Sequence, residues 1–339
     1  MAKWPIFKLA AEPHDEIVDL PDPPSWRQFG RKRANSLLDS QSPLHLPEDA
    51  DERGKTYLAS KEECDLVNAA LMLRRPLLIT GQAGTGKTSL AYAVAYQLNL
   101  GPVLSWPITT RTTLQDGLYR YDAVARLQDA SLKKPTTKLK EHTTDIGRYI
   151  RLGPLGTALV PTRRPRVLLI DEIDKSDIDL PNDLLNIFEE GAFTIPELER
   201  LPDEPAYELV EVGSADQGGK ARIPRGRVEC YEFPFVVLTS NGERDFPPAF
   251  LRRCLRLNIV PPDKSKLAEI VRAHLAPEPN MQEQVDRLIE EFIAQRAKGT
   301  QATDQLLNAV YLALHQIDPL GRDLAGLRET LFRPLDSEG

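Results

Sequence analysis

Pro76-Leu77-Leu78-Ile79-Thr80-Gly81-Gln82-Ala83-Gly84-Thr85-Gly86-Lys87-Thr88, followed by the helical pattern Ser89 to Leu100, is the stretch on which the fold turns. An apolar run, a glycine-rich turn and a helix read as strand, phosphate loop, helix. Glycine at 81, 84 and 86 allows positive φ and brings consecutive N–H groups close to an anion, which the helix N-terminus also favours. Gly81, Gln82, Ala83, Gly84, Thr85, Gly86, Lys87, Thr88 and Ser89 are therefore the candidate nucleotide cradle. Lys87 is placed to reach the β and γ phosphates. Thr88 is placed to offer its hydroxyl to Mg²⁺, which prefers hard oxygen ligands and is usually shared with substrate phosphates.

A phosphate loop does not by itself separate hydrolysis from transfer or simple binding. Arg166-Val167-Leu168-Leu169-Ile170-Asp171-Glu172-Ile173-Asp174 does much of that work. An apolar strand ending in Asp-Glu puts one carboxylate near the metal and the next near an attacking water, at the carboxyl end of a strand where α/β sites form. Asp171 is the candidate metal ligand, directly or through water, and Glu172 the group that orients and polarises water. The bland alternative is that the two acids cap the following segment. Farther on, Phe235-Val236-Val237-Leu238-Thr239-Ser240-Asn241 is another strand ending in polar residues. Asn241 can hold the lytic water or the γ phosphate, or be an ordinary turn residue.

Around these motifs, short apolar runs alternate with helical segments from Tyr57 onward, which implies a parallel sheet covered by helices on both faces. The strands expected are Leu77 to Thr80, Val103 to Trp106, Val167 to Ile170, Phe235 to Thr239 and Leu255 to Ile259. Pro261-Pro262 ends this unit. Helical periods at Lys264 to His274, Gln282 to Ala297 and Thr303 to Gln316 then predict a small all-helical lid. Three regions follow: a proline-rich arm over 1–50, an α/β nucleotide-binding domain over 51–260, and a helical lid domain over 261–339. The arm carries Pro5, Pro13, Pro21, Pro23, Pro24, Pro43 and Pro47 without a sustained period. Its aromatics Trp4, Phe7, Trp26 and Phe29 either pack back on the domain or dock a partner. Two long excursions, near 117–157 and 193–234, interrupt the alternation, and loops of that length are functional or mobile. The second contains EVGSADQGGKARIPRGR, which reads as a hairpin tip.

Composition narrows the class. At 339 residues and 41% hydrophobic, the chain can bury a full core and is not a disordered protein. A formal charge of −7 gives no global attraction to nucleic acid. Local basic stretches, Arg31-Lys32-Arg33, Lys133 to Lys140 and Arg163 to Arg166, read as solvated faces. Cys64, Cys230 and Cys254 lack the spacing of a zinc site or a disulfide framework, which points to a reducing, cytoplasmic setting. No apolar run approaches a membrane span, so no membrane insertion is expected.

Phosphate loop, strand ending in Asp-Glu, strand ending in Asn, an Arg pair and a helical lid together resemble the AAA+ ATPases, and within them the MoxR type. The likeness to MoxR lies in Gly153-Pro154-Leu155-Gly156-Thr157, LLIDEIDK, PNDLLNIFEEGAFTIP, VVLTSN and Phe246-Pro247-Pro248-Ala249-Phe250-Leu251-Arg252-Arg253, across residues 57–317. The resemblance implies a P-loop AAA+ fold, ATP and Mg²⁺ as cofactors, and a homo-oligomeric ring, usually a hexamer, with nucleotide between subunits. It implies a chaperone-like ATPase acting on a protein partner, among them proteins with a von Willebrand A domain. The alternative is a nucleic-acid motor or loader of the same class, which the acidic balance disfavours. By position Arg253 resembles the arginine that completes a neighbour's site, with Arg252 as second choice; the plain alternative is a surface salt bridge. Thr109 resembles the polar residue that restrains the catalytic glutamate. One departure stands out: Ala302-Thr303-Asp304-Gln305-Leu306-Leu307 carries no arginine where many relatives place a second sensor.

Overall fold

The structure is a computed structural model, and it describes residues 4–9, 12–30, 52–132, 146–297, 299–315, 317, 327 and 330–334. The basic stretches Arg31-Lys32-Arg33 and Lys133 to Lys140, and most of the second half of the arm, lie outside the described residues. Strands in chain order are β1 (Leu77–Thr80), β2 (Leu104–Pro107), β3 (Tyr119–Tyr121), β4 (Ile150–Leu152), β5 (Val167–Asp171), β6 (Ala192–Thr194), β7 (Leu209–Gly213), β8 (Lys220–Pro224), β9 (Arg227–Glu229), β10 (Phe235–Ser240) and β11 (Leu255–Asn258). The longer helices are α1 (Lys61–Leu73), α2 (Lys87–Gln97), α3 (Ala123–Leu132), α4 (Leu180–Glu190), α5 (Lys264–Leu275), α6 (Gln282–Arg296) and α7 (Thr303–Leu314).

A five-stranded sheet in the order β11-β1-β10-β5-β2 forms the centre, and every pairing in it is parallel. Its inner strands are apolar up to their carboxyl ends, because both faces are covered. Side chains alternate between the faces. Leu78, Leu168, Ile170, Val236 and Leu238 join one hydrophobic cluster with Leu184 and Phe188 of α4. Leu77, Ile79, Leu169 and Val237 join the other with Val67 of α1 and Leu90 and Val94 of α2. A third cluster unites α5, α6 and α7 through Leu267, Leu288, Phe292, Leu306 and Val310.

Register places the polar strand ends together. Thr80 pairs with Ser240, and Ile170 with Leu238, so Asp171, Thr239 and the loop after Thr80 share one edge of the sheet. This is the carboxyl edge, where open α/β sheets place their ligands.

The two excursions build a shared accessory sheet in the order β3-β4-β7-β8. Its β7 and β8 form an antiparallel hairpin from Leu209↔Pro224 to Gly213↔Lys220, while β4 meets β7 at Arg151↔Gly213. Of the arm's aromatics, Phe7 is fully buried and Phe29 stacks on Phe233 at 4.9 Å between ring centroids. Trp4 and Trp26 remain 51% and 76% exposed, so packing back on the domain holds for Phe7 and Phe29 and not for these two. Asn68 anchors the start of the arm by accepting from the Ile6 and Phe7 N–H groups at 2.7 and 2.9 Å. Among the described residues, no helix is long and apolar enough to cross a membrane.

Candidate functional site

Helix α1 starts on a capping box in which Ser60 and Glu63 exchange hydrogen bonds with each other's backbone, and it leads straight into β1. The loop after β1 then turns through Gly81, Gly84 and Gly86 at φ of 151°, 73° and 90°. All three are required, Gly81 because a Cβ there would lie 2.4 Å from the Ile259 carbonyl oxygen. Gly86 caps α2 in a left-handed conformation that a side chain rarely adopts, and a Cβ on Gly84 would lie 2.2 Å from the Ala302 Cβ of the lid. Loop and lid are also joined by the Thr303 N–H donating to the Gly84 carbonyl at 3.2 Å.

Lys87 sits in the first turn of α2 and is buried. Its Nζ donates to the Gly81 and Gln82 carbonyls at 2.8 and 2.7 Å and to Asn241 Oδ1 at 2.8 Å. Burial pulls its pKa below the ordinary lysine value, against the opposing field of Asp174, Asp171 and Glu172. One residue on, Thr88 Oγ1 donates to Asp171 Oδ1 at 3.1 Å. The same carboxylate oxygen accepts from Thr239 Oγ1 at 2.6 Å, and that hydroxyl in turn accepts from the Glu172 N–H at 2.9 Å. A hydroxyl and a carboxylate in contact beside the phosphate loop are the hard donors magnesium requires, so Thr88 and Asp171 fit the ion.

Glu172 adopts φ 61° and ψ 47°, a strained choice for a non-glycine residue of the kind that clusters at functional sites. Its carboxylate pairs with Lys175 Nζ at 2.8 Å. The contact expected from Thr109 is not formed. The Thr109 hydroxyl instead lies 3.0 Å from that of Thr112, because the chain turns there immediately after β2, although Thr109 and Glu172 line one recess.

A cleft of about 930 Å³ runs from this edge to the lid. Ala83 through Ser89, Glu172, Thr239 and Asn241 line one side, and Ile259 through Asp263 with Lys266, Ile270, His274, Thr303, Asp304 and Leu307 line the other. Tyr57 and Leu58 line it as well. No arginine is among the described lining residues; the lid side contributes Lys266, His274 and Asp304. Arg252 and Arg253 also do not line their own chain's cleft. Arg253 Nε donates to Glu189 at 2.6 Å and Nη1 to the Ala249 carbonyl at 3.2 Å. The basic stretch Arg163 to Arg166 is largely spent internally, with Arg164 on Asp15 and buried Arg166 in a two-pronged pair with Asp216.

Sequence reasoning missed Thr239 and Asp174. Thr239 stands inside the quoted strand and ties both acidic residues to β10. Asp174 is buried, and its Oδ2 accepts from the Asn241 and Glu243 N–H groups at 2.8 and 3.1 Å, fixing the loop that presents Asn241. The available signal was the further acid in the short turn Ile173–Lys175 that directly follows the Asp-Glu pair.

Residues 76–254 match the AAA domain family, dynein-related subfamily, and the chain belongs to that family of ATP-binding ATPases. It is 28% identical over 186 residues to the chaperone protein ClpB of Chlamydia caviae, covering 53% of this chain and 19% of that protein. With the chaperone protein ClpB of Chlamydia muridarum it shares 26% identity over 226 residues, covering 63% and 24%. The chain thus spans about a fifth to a quarter of these curated relatives. The structure of C. elegans PCH-2 aligns at a TM-score of 0.42 with 15% identity, covering 86% of this chain and 77% of that one.

Proposed function

We propose that this AAA-domain chain is an ATP-hydrolysing ring ATPase of MoxR type, which remodels or activates a protein partner in a chaperone-like manner. The observation that carries the reading is the convergence of Lys87, Thr88, Asp171, Glu172, Thr239 and Asn241 on one sheet edge beneath a helical lid. Similarity to a chaperone supports the remodelling half of the reading.

Each residue has a defined task. Gly81 to Ser89 wrap the phosphates with backbone N–H groups, and Lys87 gives up its loop carbonyls to neutralise them. Thr88 and Asp171 hold magnesium, which supplies charge neutralisation and alignment of the terminal phosphate when bound. Glu172 exchanges Lys175 for water and accepts its proton. Asn241, fixed from behind by Asp174, holds that water or the γ phosphate. Arg253 of an adjacent subunit, or Arg252 in its stead, stabilises charge at the transferring phosphate, an effect of about 10³ to 10⁵ in rate where it operates. The assembly is a hexameric cytoplasmic ring, and its client is a protein of the von Willebrand A class.

The deciding experiment is affinity capture with the Glu172→Gln protein held in ATP and magnesium. Assembled rings that retain ATP and a protein client are expected. Captured DNA, with ATPase stimulation that fades steeply as salt rises, would replace the remodelling reading with a nucleic-acid motor.

A further inference from the structure

Glu189 carries two arginines. Its Oε1 accepts from Arg253 Nε at 2.6 Å, and its Oε2 lies 3.6 Å from Arg27 Nη1. Arg27 belongs to the proline-rich arm, yet it is 7% exposed and lies against the stacked pair Phe29–Phe233, 5.1 Å from the Phe29 centroid and 5.2 Å from that of Phe233. Its guanidinium donates to the Phe188 carbonyl at 2.8 Å and to the Arg74 carbonyl at 2.6 Å. Phe188 and Glu189 lie in the last turn of α4, where carbonyls lack helical partners and a cation is favoured. One arm side chain therefore fixes both the end of α4 and the carboxylate that projects from it.

From that carboxylate the constraint passes to Arg253. Nε is held by Glu189 and Nη1 by the Ala249 carbonyl, while Nη2 makes no hydrogen bond among the described residues. A planar guanidinium pinned on two nitrogens has its plane and reach set, with one nitrogen left for an anion on another molecule. The geometry points to Arg27 and Glu189 as positioning residues for a neighbour's site: the arm aims the arginine that acts in trans. This rests on the reading of Arg253 given above. The arm is then part of the catalytic edge, and its docking sets the turnover of the adjacent subunit rather than of its own.

The test uses the full chain with Arg27→Gln and Glu189→Gln, each assayed for ATP affinity, kcat and rescue by mixing with Lys87→Ala subunits. Each variant is expected to keep ATP affinity within about twofold and to lose about tenfold or more in kcat, the scale of a misplaced catalytic group. Mixing restores turnover, because Lys87→Ala subunits supply a well-aimed Arg253 to the variants' own intact sites. A defect in the variant's own fold is not rescued in this way, so lack of rescue overturns the inference. Parental turnover of both variants alongside an inactive Arg253→Ala protein also overturns it, while leaving the trans-acting arginine intact. Full activity of Arg253→Ala overturns the underlying reading. Should Arg27→Gln fail to fold, Glu189→Gln, altered on a half-exposed side chain, decides the matter.

Discussion

Lys87 and Asn241, 154 residues apart in the chain, meet directly: the ammonium of the phosphate loop donates to the amide oxygen at the end of β10 at 2.8 Å. The contact fixes the spacing between the two residues that we propose neutralise and read phosphate. On that proposal both are sensitive to nucleotide, since Lys87 must redistribute its three hydrogen bonds when phosphate competes for them.

Lys87→Ala removes a charge-assisted donor worth about 1.5–3 kcal/mol, so ATP affinity should fall by roughly 10- to 100-fold or more. Titration calorimetry with ATP and magnesium measures this. Unchanged affinity would remove the loop from the site.

Glu172→Gln keeps the size of the side chain and loses the base. ATP binding should persist while turnover drops by about 10²- to 10⁴-fold. A steady-state phosphate release assay at saturating ATP is sufficient, and normal turnover would exclude Glu172 as the water-orienting group.

Thr239→Val deletes the hydroxyl that joins Asp171 to the Glu172 backbone and leaves a part-buried N–H unsatisfied. A loss of about 1–3 kcal/mol of stability is expected, together with a lower kcat and little change in ATP affinity. Chemical denaturation and kinetics on one preparation separate the two effects.

Gly84→Ala brings a Cβ to 2.2 Å from that of Ala302 at a φ of 73°. Loop strain and displacement of the lid should weaken nucleotide binding by about 1–3 kcal/mol. Gly218→Ala, at a positive φ but with open space around it, is the control and should leave binding unchanged.

Burial raises the Cys64 thiol to about 11 and the Cys254 thiol to about 12, and Cys230 is raised as well. Alkylation of the native protein near neutral pH should be slow at all three and become fast on unfolding. The unfolded chain gives up these protons at lower pH than the folded one. Stability is thus retained below the ordinary thiol pKa and falls as pH climbs from there toward 11 and above. A denaturation series across that range reads the slope.

The central sheet was legible because its inner strands are apolar runs with polar ends, while the edge strands β2 and β11 alternate with exposed residues; the observed limits differ by about one residue from those read from pattern. The phosphate loop and the Asp-Glu pair were legible because their residue types and spacing are dictated by phosphate and metal chemistry. Thr239 and Asp174 were not. A threonine in a strand and an acid in a short turn have many ordinary uses, and only register shows that these two face Asp171 and Asn241. The contact of Thr109 with Thr112 was equally hidden, since a local turn outcompetes a longer-range partner without leaving a mark in composition. That Lys266 lines the cleft could not be foreseen from the absence of an arginine at the start of the last lid helix.

The pairing of β4 with β7 through Arg151 and Gly213 welds two separately encoded insertions into a single appendage. Transplanting one of them to another scaffold without its mate would leave a bare strand edge, ready to recruit foreign chains. The two segments can therefore be inherited, exchanged or redesigned only as a couple.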